Sequence, residues 1–285
     1  MLTVVVPTRD AADVLPGQLR ALSEQGPGEP FEVIVADNGS TDGTAGVVAS
    51  WRAELPALRL VDASGRAGVS HARNVGVAAA SGRNVLFCDA DDEVAPDWVA
   101  AMSAALEQAA VVGGRLDRRR LTPASQLREG HVVSDGLTPW PGFLPFASGA
   151  SLGIRTEVLR ALGGFDETYV MGADDVELSW RAQLAGHRLA FAGDAVVHYR
   201  ERVGVRPIGR QTFAYGVQDP HLYRQFAPHG MPGSGVGTAL RSWAHLFVRA
   251  PRYAATAPDR SQWVRSAARR TGRLVGSVRY RTLYL

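Results

Sequence analysis

Residues 85–94, VLFCDADDEV, indicate the fold of this chain, because an apolar run leads directly into three aspartates within four positions. Carboxylates packed this closely repel one another unless a cation or a hydrogen-bond donor compensates their charge. A solvated turn that follows a strand is one interpretation of the pattern. A group of carboxylates that holds a ligand is the other, and the surrounding sequence has to decide between them.

The segments around this stretch alternate between strand-like and helix-like patterns. Four short apolar runs have the composition of buried strands: 2–7, 31–37, 58–63 and 85–91. Helical stretches separate them, the first at about residues 11–25. Strands joined by helices predict an α/β fold with a parallel sheet and right-handed crossovers.

The residues at the ends of the predicted strands lie at the edge where such sheets bind ligands. They are Pro7, Thr8 and Arg9 after the first strand, Asp37 after the second, and Asp89 and Asp91 after the fourth. Carboxylates that converge there favour a metal or a ligand rich in donors. The segment PTRDAAD (7–13) has neither a G-x-G-x-x-G pattern nor a Walker lysine, which argues against dinucleotide oxidoreductases and ordinary nucleoside triphosphatases.

Several motifs, taken in order, resemble the signature of the family 2 inverting glycosyltransferases with the GT-A fold. They are VVVPTRD (4–10), VIVADNGSTDGT (33–44), GVSHARNVGVAAASG (68–82), VLFCDADD (85–92), FASGASLGIRTEVLRALGGFDE (146–167) and GADDVELSWRAQLAGHRLAFAGDAVVH (172–198). The resemblance covers about residues 1–200. It implies a Rossmann-like GT-A domain at 1–199, a mostly parallel sheet flanked by helices, followed by a helical extension at 200–285.

The resemblance also implies roles for individual residues. Pro7, Thr8 and Arg9 would line the nucleotide pocket. Asp37 would accept a hydrogen bond from the base, and Asp89 would face the ribose. The segment that closes over the nucleotide would contain Arg66, Arg73 and Asn74. Asp91 would coordinate a metal ion, His198 would be its second ligand, and Asp175 would be the catalytic base. Gly149, Asp174 and Trp180 are candidates for an acceptor or donor-sugar pocket. The family more often has Glu-Asp where this chain has Asp174–Asp175.

These residue types suit sugar transfer from a nucleoside-diphosphate sugar. A hard divalent cation, Mn²⁺ or Mg²⁺, held by carboxylate oxygen would neutralise the departing diphosphate. A carboxylate in the first turn of a helix, such as Asp175, can take the proton of an attacking acceptor hydroxyl. We therefore expect a single displacement onto a carbohydrate, a lipid-linked or a small-molecule acceptor. Uridine and thymidine donors share the imide N–H with which Asp37 would pair, so UDP- and dTDP-sugars are the expected donors.

Other interpretations remain open at this point. Asp37 could cap the next helix, and Asp174 and Asp175 could be acids favoured by a helix dipole. A sugar-nucleotide nucleotidyltransferase is an alternative enzyme class, although such enzymes usually carry a Gly- and Lys-rich phosphate loop and this chain has no lysine. A non-catalytic nucleotide-sugar binding protein is the alternative outside enzymes.

The remaining features concern location. Cys88 is the single cysteine, so no internal disulfide can form, and neither a signal peptide nor an apolar run of about 18 residues is found, which predicts a cytoplasmic protein.

Residues 1–199 carry 16 arginines against 25 acidic residues, whereas residues 200–285 carry 15 arginines against 3 acidic residues. Two helical apolar stripes are predicted: Leu240, Trp243, Ala244, Phe247 and Val248, ended by Pro251, and Val264, Ala267, Ala268, Thr271, Val275 and Val278. Residues 238–281 could dock on the catalytic domain or lie on an anionic membrane. No nucleic-acid-binding module is recognised, so no nucleic acid partner is expected. The sequence does not indicate an oligomeric state.

Overall fold

The computed structural model describes residues 1–127, 130–170, 172–254 and 256–285. In this part of the chain one mixed sheet is built from the strands Leu2–Thr8 (β1), Phe31–Asp37 (β2), Leu58–Asp62 (β3), Asn84–Phe87 (β4), Glu93–Val94 (β5), Val111–Asp117 (β6), Val133–Ser134 (β7), Leu152–Arg155 (β8) and Leu189–His198 (β9). The helices are Leu15–Ser23 (α1), Thr44–Ser50 (α2), Val69–Ala79 (α3), Trp98–Gln108 (α4), Thr156–Ala161 (α5), Asp174–Leu184 (α6), Val205–Phe226 (α7), Val236–Val248 (α8) and Ala257–Arg279 (α9).

The strand order is β3-β2-β1-β4-β8-β6-β9-β5, with β7 beside β6. The first four strands pair in parallel, as the alternation of strands and helices predicts. Beyond β4 the sheet is mixed, because β8 runs antiparallel to both β4 and β6 while β6 and β9 are parallel. The α/β class is confirmed, and the purely parallel arrangement is limited to the half of the sheet formed by β1–β4.

The sheet is covered on both faces, which explains the continuous apolar runs. In β1, Val4 and Val6 pack in the core that includes Leu19 of α1 and Met102 of α4. The alternate residue Val5 packs in a second core with Val77 of α3. Successive strand side chains point to opposite faces, so a strand buried on both sides has to be apolar at every position.

The helical extension packs on the sheet domain and shares an apolar core with it. This core joins Tyr169 and Trp180 to Phe226, Met231 and Tyr284. The boundary predicted at residue 200 falls between β9 and α7. An apolar core common to both sides of that boundary holds the extension against the sheet domain.

The contact between α7 and α9 depends on glycines rather than on the predicted apolar stripe. A Cβ atom on Gly216 would lie 2.2 Å from the carbonyl oxygen of Arg269, and one on Gly272 would lie 2.3 Å from that of Phe213. Glycine is needed at both positions because any side chain would collide with backbone. Val275 and Val278, which belong to the predicted stripe, are exposed.

Candidate functional site

Two polar residues at the end of β2 shape the loops beyond the sheet edge. Asp37 accepts hydrogen bonds through Oδ1 from the backbone N–H of Ser40 at 2.9 Å and from its hydroxyl at 2.6 Å. Asn38 donates through Nδ2 to the carbonyl oxygens of Ala63 and Arg66, at 2.6 and 2.8 Å, and accepts from the N–H of Gly68. Sequence reasoning missed Asn38, although its position directly after a strand was a usable signal.

The residues at the end of β1, Pro7 and Thr8, and the following Arg9 differ in how far their side chains are exposed. The Thr8 side chain is buried and donates to the carbonyl oxygen of Val6 at 3.0 Å. Pro7 is half-buried and the side chain of Arg9 is exposed. All three lie at the carboxyl edge of the sheet, next to Asp37, since Thr8 and Asp37 are paired in the β1–β2 register.

Arg66 and Asn74 both contact Glu167, which sequence reasoning did not select. The Arg66 guanidinium lies 3.1 Å from Oε2 of Glu167, and the Asn74 amide nitrogen donates to its Oε1 at 3.0 Å. Asn74 also donates to the carbonyl oxygen of Phe165 and accepts from the N–H of Phe165, at 2.9 and 2.8 Å. These hydrogen bonds hold residues 165–167 against α3, and they engage the Asn74 amide group with partners inside the protein.

Arg73 connects two of the predicted acidic groups. Its buried guanidinium forms an ion pair with Asp174, lies 3.3 Å from Oδ1 of Asp89, and stacks over the ring of Phe165 at 5.4 Å. Burial acts to lower the pKa of Arg73, but the charges of Asp174, Asp89 and Asp175 outweigh it and raise the pKa. Arg73 therefore stays charged and connects Asp89, which follows β4, with Asp174 at the start of α6.

Asp175 lies at the start of α6, as expected from the sequence, with both carboxylate oxygens hydrogen-bonded. Oδ2 accepts from the N–H of Gly149 at 2.8 Å and Oδ1 accepts from the N–H of Val176 at 2.9 Å. Burial, followed by the charge of Asp174, raises the pKa of Asp175 to about 6. A carboxyl group with this pKa is ionised near neutral pH and is more basic than an ordinary aspartate, which is what proton removal needs.

The backbone that presents Asp175 is held in an unusual conformation. Ala173 has φ 68° and Gly172 has φ 97°, both in the left-handed region. A Cβ atom on Gly172 would lie 2.4 Å from Cε1 of Tyr215. Tyr215 comes from α7, and burial, followed by the charge of Asp175, raises its pKa. Sequence reasoning missed Tyr215 because it lies outside the recognised motifs.

Asp91 lies four residues beyond the end of β4 and faces two arginines that follow β9. Arg202 Nη2 lies 3.2 Å from Oδ2 of Asp91, and Arg200 donates from Nε to the Asp91 carbonyl oxygen at 2.8 Å. The backbone N–H of Arg200 donates to Oδ1 of the buried Asp92 at 2.7 Å. Burial raises the pKa of Asp92 well above its usual value, and its Oδ2 has no hydrogen-bond partner within the described residues.

His198 is the last residue of β9 and pairs with Glu93 of β5 and Asp117 of β6. Burial and the charge of Arg120 lower its pKa, while Asp117 and Glu93 oppose the shift. Its Nδ1 is buried without a partner in the described part of the chain. A neutral imidazole with a nitrogen that is not hydrogen-bonded has the form that binds metals.

The donor set fits a divalent cation that also takes oxygens from a diphosphate. The carboxylate of Asp91 faces a guanidinium, so a positive charge is already favoured at this position, and carboxylate oxygen suits Mn²⁺ or Mg²⁺. Across the four described ranges, no three His, Cys, Asp or Glu side chains are grouped so as to hold a metal by themselves. Asp91 and His198 as ligands therefore remain a prediction that needs the diphosphate to complete the coordination.

The expectation that Trp180 contributes to a sugar pocket is wrong. Its ring is fully buried, its Nε1 donates to the carbonyl oxygen of Leu144 at 2.7 Å, and it packs edge-on against Trp140, Phe143 and Phe226. Trp180 lies one helical turn and a half beyond Asp175, on a side of α6 that packs against the extension. The other two candidates, Gly149 and Asp174, lie in the site, in contact with Asp175 and Arg73 respectively.

A cavity of about 650 Å³ lies beside Arg202, between the sheet domain and the extension. Its lining includes Arg118, Ser134, Thr138, Glu201 and Arg265. Glu201 accepts hydrogen bonds from both Arg118, the residue after β6, and Arg265 of α9, and so connects these two segments at the cavity wall. The cavity is large enough for a sugar-sized or larger ligand.

Known glycosyltransferases are similar to this chain in sequence. The chain is 25% identical over 207 residues to the glycosyltransferase AglE of Haloferax volcanii, covering 68% of this chain and 65% of AglE. It is 28% identical over 262 residues to the pre-mycofactocin glycosyltransferase of Mycobacterium tuberculosis, covering 87% of this chain and 53% of the relative. The chain thus spans less than two thirds of the length of these curated relatives.

Solved structures show the same fold. The mannosyltransferase PcManGT of Pyrobaculum calidifontis, solved with GDP-Man and Mn²⁺, matches with a TM-score of 0.69 at 24% identity, over 96% of this chain and 86% of PcManGT. TarS 1–349 of S. aureus, solved with UDP, matches with a TM-score of 0.56 at 21% identity, over 100% and 93% of the two chains. These likenesses confirm the α/β GT-A fold. Because the family model "Glycosyl transferase family 2" matches residues 3–163, more than half of the sequence, the chain belongs to glycosyl transferase family 2.

Proposed function

We propose that the protein is an inverting glycosyltransferase that moves a sugar from a nucleoside-diphosphate sugar to an acceptor hydroxyl in a single displacement. The observation that carries this proposal is the carboxylate of Asp175. It has a pKa of about 6, lies at the start of α6, and is linked through the neighbouring Asp174 and Arg73 to Asp89 of the DADD segment. A base and a nucleotide-facing carboxylate are thus parts of one connected site.

The nucleotide would lie at the edge formed by β1, β2 and β4. Its proposed contacts are Pro7, Thr8, Arg9, Asp37, Arg66, Arg73, Asn74 and Asp89. Asp37 uses only Oδ1 in its contacts with Ser40, which supports a role for its other oxygen in binding the imide N–H of a uracil or thymine base. Asn38 and Glu167 would act by holding the loops that carry Arg66, since both contact that residue.

Asp91 and His198 would hold Mn²⁺ or Mg²⁺ together with the diphosphate. When bound, the cation neutralises the charge that develops on the departing nucleoside diphosphate. Arg202 would have to give up its contact with Asp91 as the cation binds. On the opposite side of the donor sugar, Asp175 takes the acceptor hydroxyl's proton while the N–H groups of Gly149 and Val176 keep its carboxylate oriented.

The acceptor would enter through the cavity beside Arg202. The lining combines three arginines with Glu201, Asp135 and several hydroxyl groups, which supports a polar acceptor rich in hydroxyl groups, such as a carbohydrate, a lipid-linked sugar or a polar small molecule. Replacing Thr138 with Trp would narrow this cavity. We expect a raised KM for the acceptor and unchanged hydrolysis of the donor by water; unchanged acceptor KM would place the acceptor elsewhere.

The experiment that tests the proposed activity is a screen of nucleotide sugars by thermal shift, with and without Mn²⁺, followed by transfer assays with the stabilising donor. Ligands that bind the native state raise its melting temperature. NMR of the product then reports the anomeric configuration. Transfer with inversion supports the proposal, retention contradicts the single displacement, and release of a nucleoside monophosphate with a sugar phosphate indicates nucleotidyl chemistry instead. Donor binding with neither transfer nor hydrolysis would indicate a non-catalytic binding protein.

A further inference from the structure

Helix α8 has an apolar face that the described part of the protein does not cover. Val236, Leu240, Phe247 and Val248 are 55%, 66%, 67% and 76% exposed. Residues spaced by three, four and seven positions share one side of a helix, so Val236, Leu240 and Phe247 lie together, with Val248 at the margin. Exposed apolar residues are ordinary when scattered, but a continuous row along one helix marks an interaction surface.

A neighbouring side of α8, roughly a quarter of a turn around the helix from this row, is the side that docks on the protein. Ala239 and Leu246 are buried. The carbonyl oxygen of Leu246 accepts from Nε1 of Trp263 at 3.0 Å, and the hydroxyl of Ser242 accepts from Nε of Arg270 at 3.1 Å. Both partners belong to α9. The helix is therefore anchored through one side, and its more apolar side is presented outward.

The charge around the apolar face of α8 indicates which kind of partner this face binds. Arg241 on α8 and Arg249 directly after its last residue are exposed, and the whole extension carries 15 arginines against 3 acidic residues. Two of the three acids are already paired with arginines: Glu201 with Arg265, and Asp219 with Arg269 and Arg273. A second copy of the chain would bring two basic surfaces together, whereas an anionic lipid surface would attract one.

The length of α8 sets how it could meet a bilayer. Thirteen residues extend about 20 Å, which is shorter than the roughly 30 Å hydrocarbon core. No helix in the described residues is long and apolar enough to cross a membrane. A short basic helix with one apolar face lies in the plane of the interface, with the apolar side chains among the acyl chains and the arginines at the headgroups.

We propose that α8 docks the protein on the surface of a bilayer that contains anionic lipids, with Val236, Leu240 and Phe247 inserted and with Arg241 and Arg249 at the headgroups. This narrows the predicted membrane contact at 238–281 to one face of one helix. It concerns where the protein is held and does not depend on the proposed sugar transfer.

The test is co-sedimentation of the full chain with vesicles of phosphatidylcholine alone and of phosphatidylcholine mixed with phosphatidylglycerol. We expect binding to the mixed vesicles only, weakened by added salt. The double variant Leu240→Ser/Phe247→Ser should lose at least about tenfold in affinity, because two inserted apolar side chains are removed. Leu184→Ser removes an exposed leucine of α6, far along the chain from α8, and is the matched control that should bind like the wild type.

Two arginine variants test the contribution of charge to membrane binding separately from that of the inserted apolar side chains. Arg241→Gln and Arg249→Gln should each weaken binding to anionic vesicles by about fivefold. All the replaced residues are exposed, so melting temperatures should stay close to that of the wild type. Absence of binding to anionic vesicles would overturn the proposal, as would binding that the double variant leaves unchanged. A dimer in light scattering that the double variant dissociates would assign the face to a second copy instead.

Discussion

Arg202 Nη2 lies 3.2 Å from Oδ2 of Asp91, so a guanidinium faces the carboxylate that is proposed to hold the metal. The two residues come from different parts of the sheet: Asp91 follows β4, and Arg202 lies between β9 and α7. The same arginine lines the cavity proposed for the acceptor. Arg202 therefore connects Asp91, the proposed metal ligand, with the cavity proposed for the acceptor.

Replacing Arg202 with Ala should increase the affinity for Mn²⁺ measured without nucleotide. The guanidinium competes with a cation for Asp91, and a partly exposed ion pair is worth up to about 1 kcal/mol, which corresponds to roughly a two- to fivefold change. Titration of Mn²⁺ followed by electron paramagnetic resonance measures it directly. Arg206→Ala, at an exposed arginine in the first turn of α7, is the control. Equal Mn²⁺ affinities for Arg202→Ala and wild type would show that Arg202 does not compete at Asp91.

Replacing Asp175 with Asn should lower kcat by about 10² to 10⁴, the usual contribution of a positioned general base. In the wild type, activity should rise as the pH increases through about 6, because the base has to be ionised. Binding of the donor, measured by thermal shift, should be retained. A variant with near-normal turnover would remove Asp175 from the mechanism.

The same substitution should change how stability depends on pH. Burial raises the pKa of Asp175 in the folded protein, so the stability that its protonated form contributes is full below about pH 3.8 and is lost as the pH rises through about 6. Asn stays neutral at every pH but can accept only one of the two backbone hydrogen bonds that Asp175 accepts, so the comparison is between pH values and not of absolute stability. Between pH 3 and pH 8 the wild type should lose about 1–2 kcal/mol more stability than Asp175→Asn, as measured by urea unfolding at both pH values. A loss in the wild type that is no larger than in the variant contradicts this sign.

Replacing Arg73 with Met should destabilise the fold by about 3–5 kcal/mol, because Asp174 would be left as a buried and unpaired charge. Urea unfolding at pH 8 measures the loss. The double variant Arg73→Met/Asp174→Asn removes the buried, unpaired charge of Asp174 and should recover much of the lost stability. If the double variant is as unstable as the sum of the two single variants, the ion pair is not the reason for the loss.

Replacing Gly149 with Ala should disturb the site through Arg73. The added Cβ atom would lie 2.5 Å from Nη2 of Arg73, so the guanidinium has to move away from Asp89 or Asp174. We expect a loss of about 1–3 kcal/mol in stability, the usual cost of overpacking, together with lower activity. The control is Gly46→Ala in α2, where no atom lies within 4 Å and the helical backbone accepts Ala. Equal behaviour of the two variants would mean that Arg73 has room to shift.

Local patterns predicted the elements that carry the site. Apolar runs of the right length placed β1 and β2 within a residue of their observed ends, and the acidic start of α6 was expected at Asp175. A helix in the place of Val236–Val248 was also expected from its apolar stripe and from Pro251, although the sequence left open whether the stripe docks on the protein or faces outward. These features depend on residue period and on the chemistry of turns and helix ends, which neighbouring residues determine.

Long-range partners could not be read from the sequence. Arg73 and Asp174 are 101 positions apart, and Arg66 and Glu167 are equally distant. Tyr215 reaches the site from a helix outside the recognised motifs, and Trp180 is buried because α7 covers it. Such contacts follow from the order of strands and from helix packing, and no local pattern encodes them.

The sequence by itself determined the strands, the carboxylates that follow them and the family, since each is written in the type and spacing of adjacent residues. Only the tertiary structure decided which carboxylate is paired with an arginine, which aromatic ring is buried and which face of α8 is left open. Charge pairing and burial depend on distances between segments far apart in the chain, and those distances exist only once the sheet and its helices have packed together.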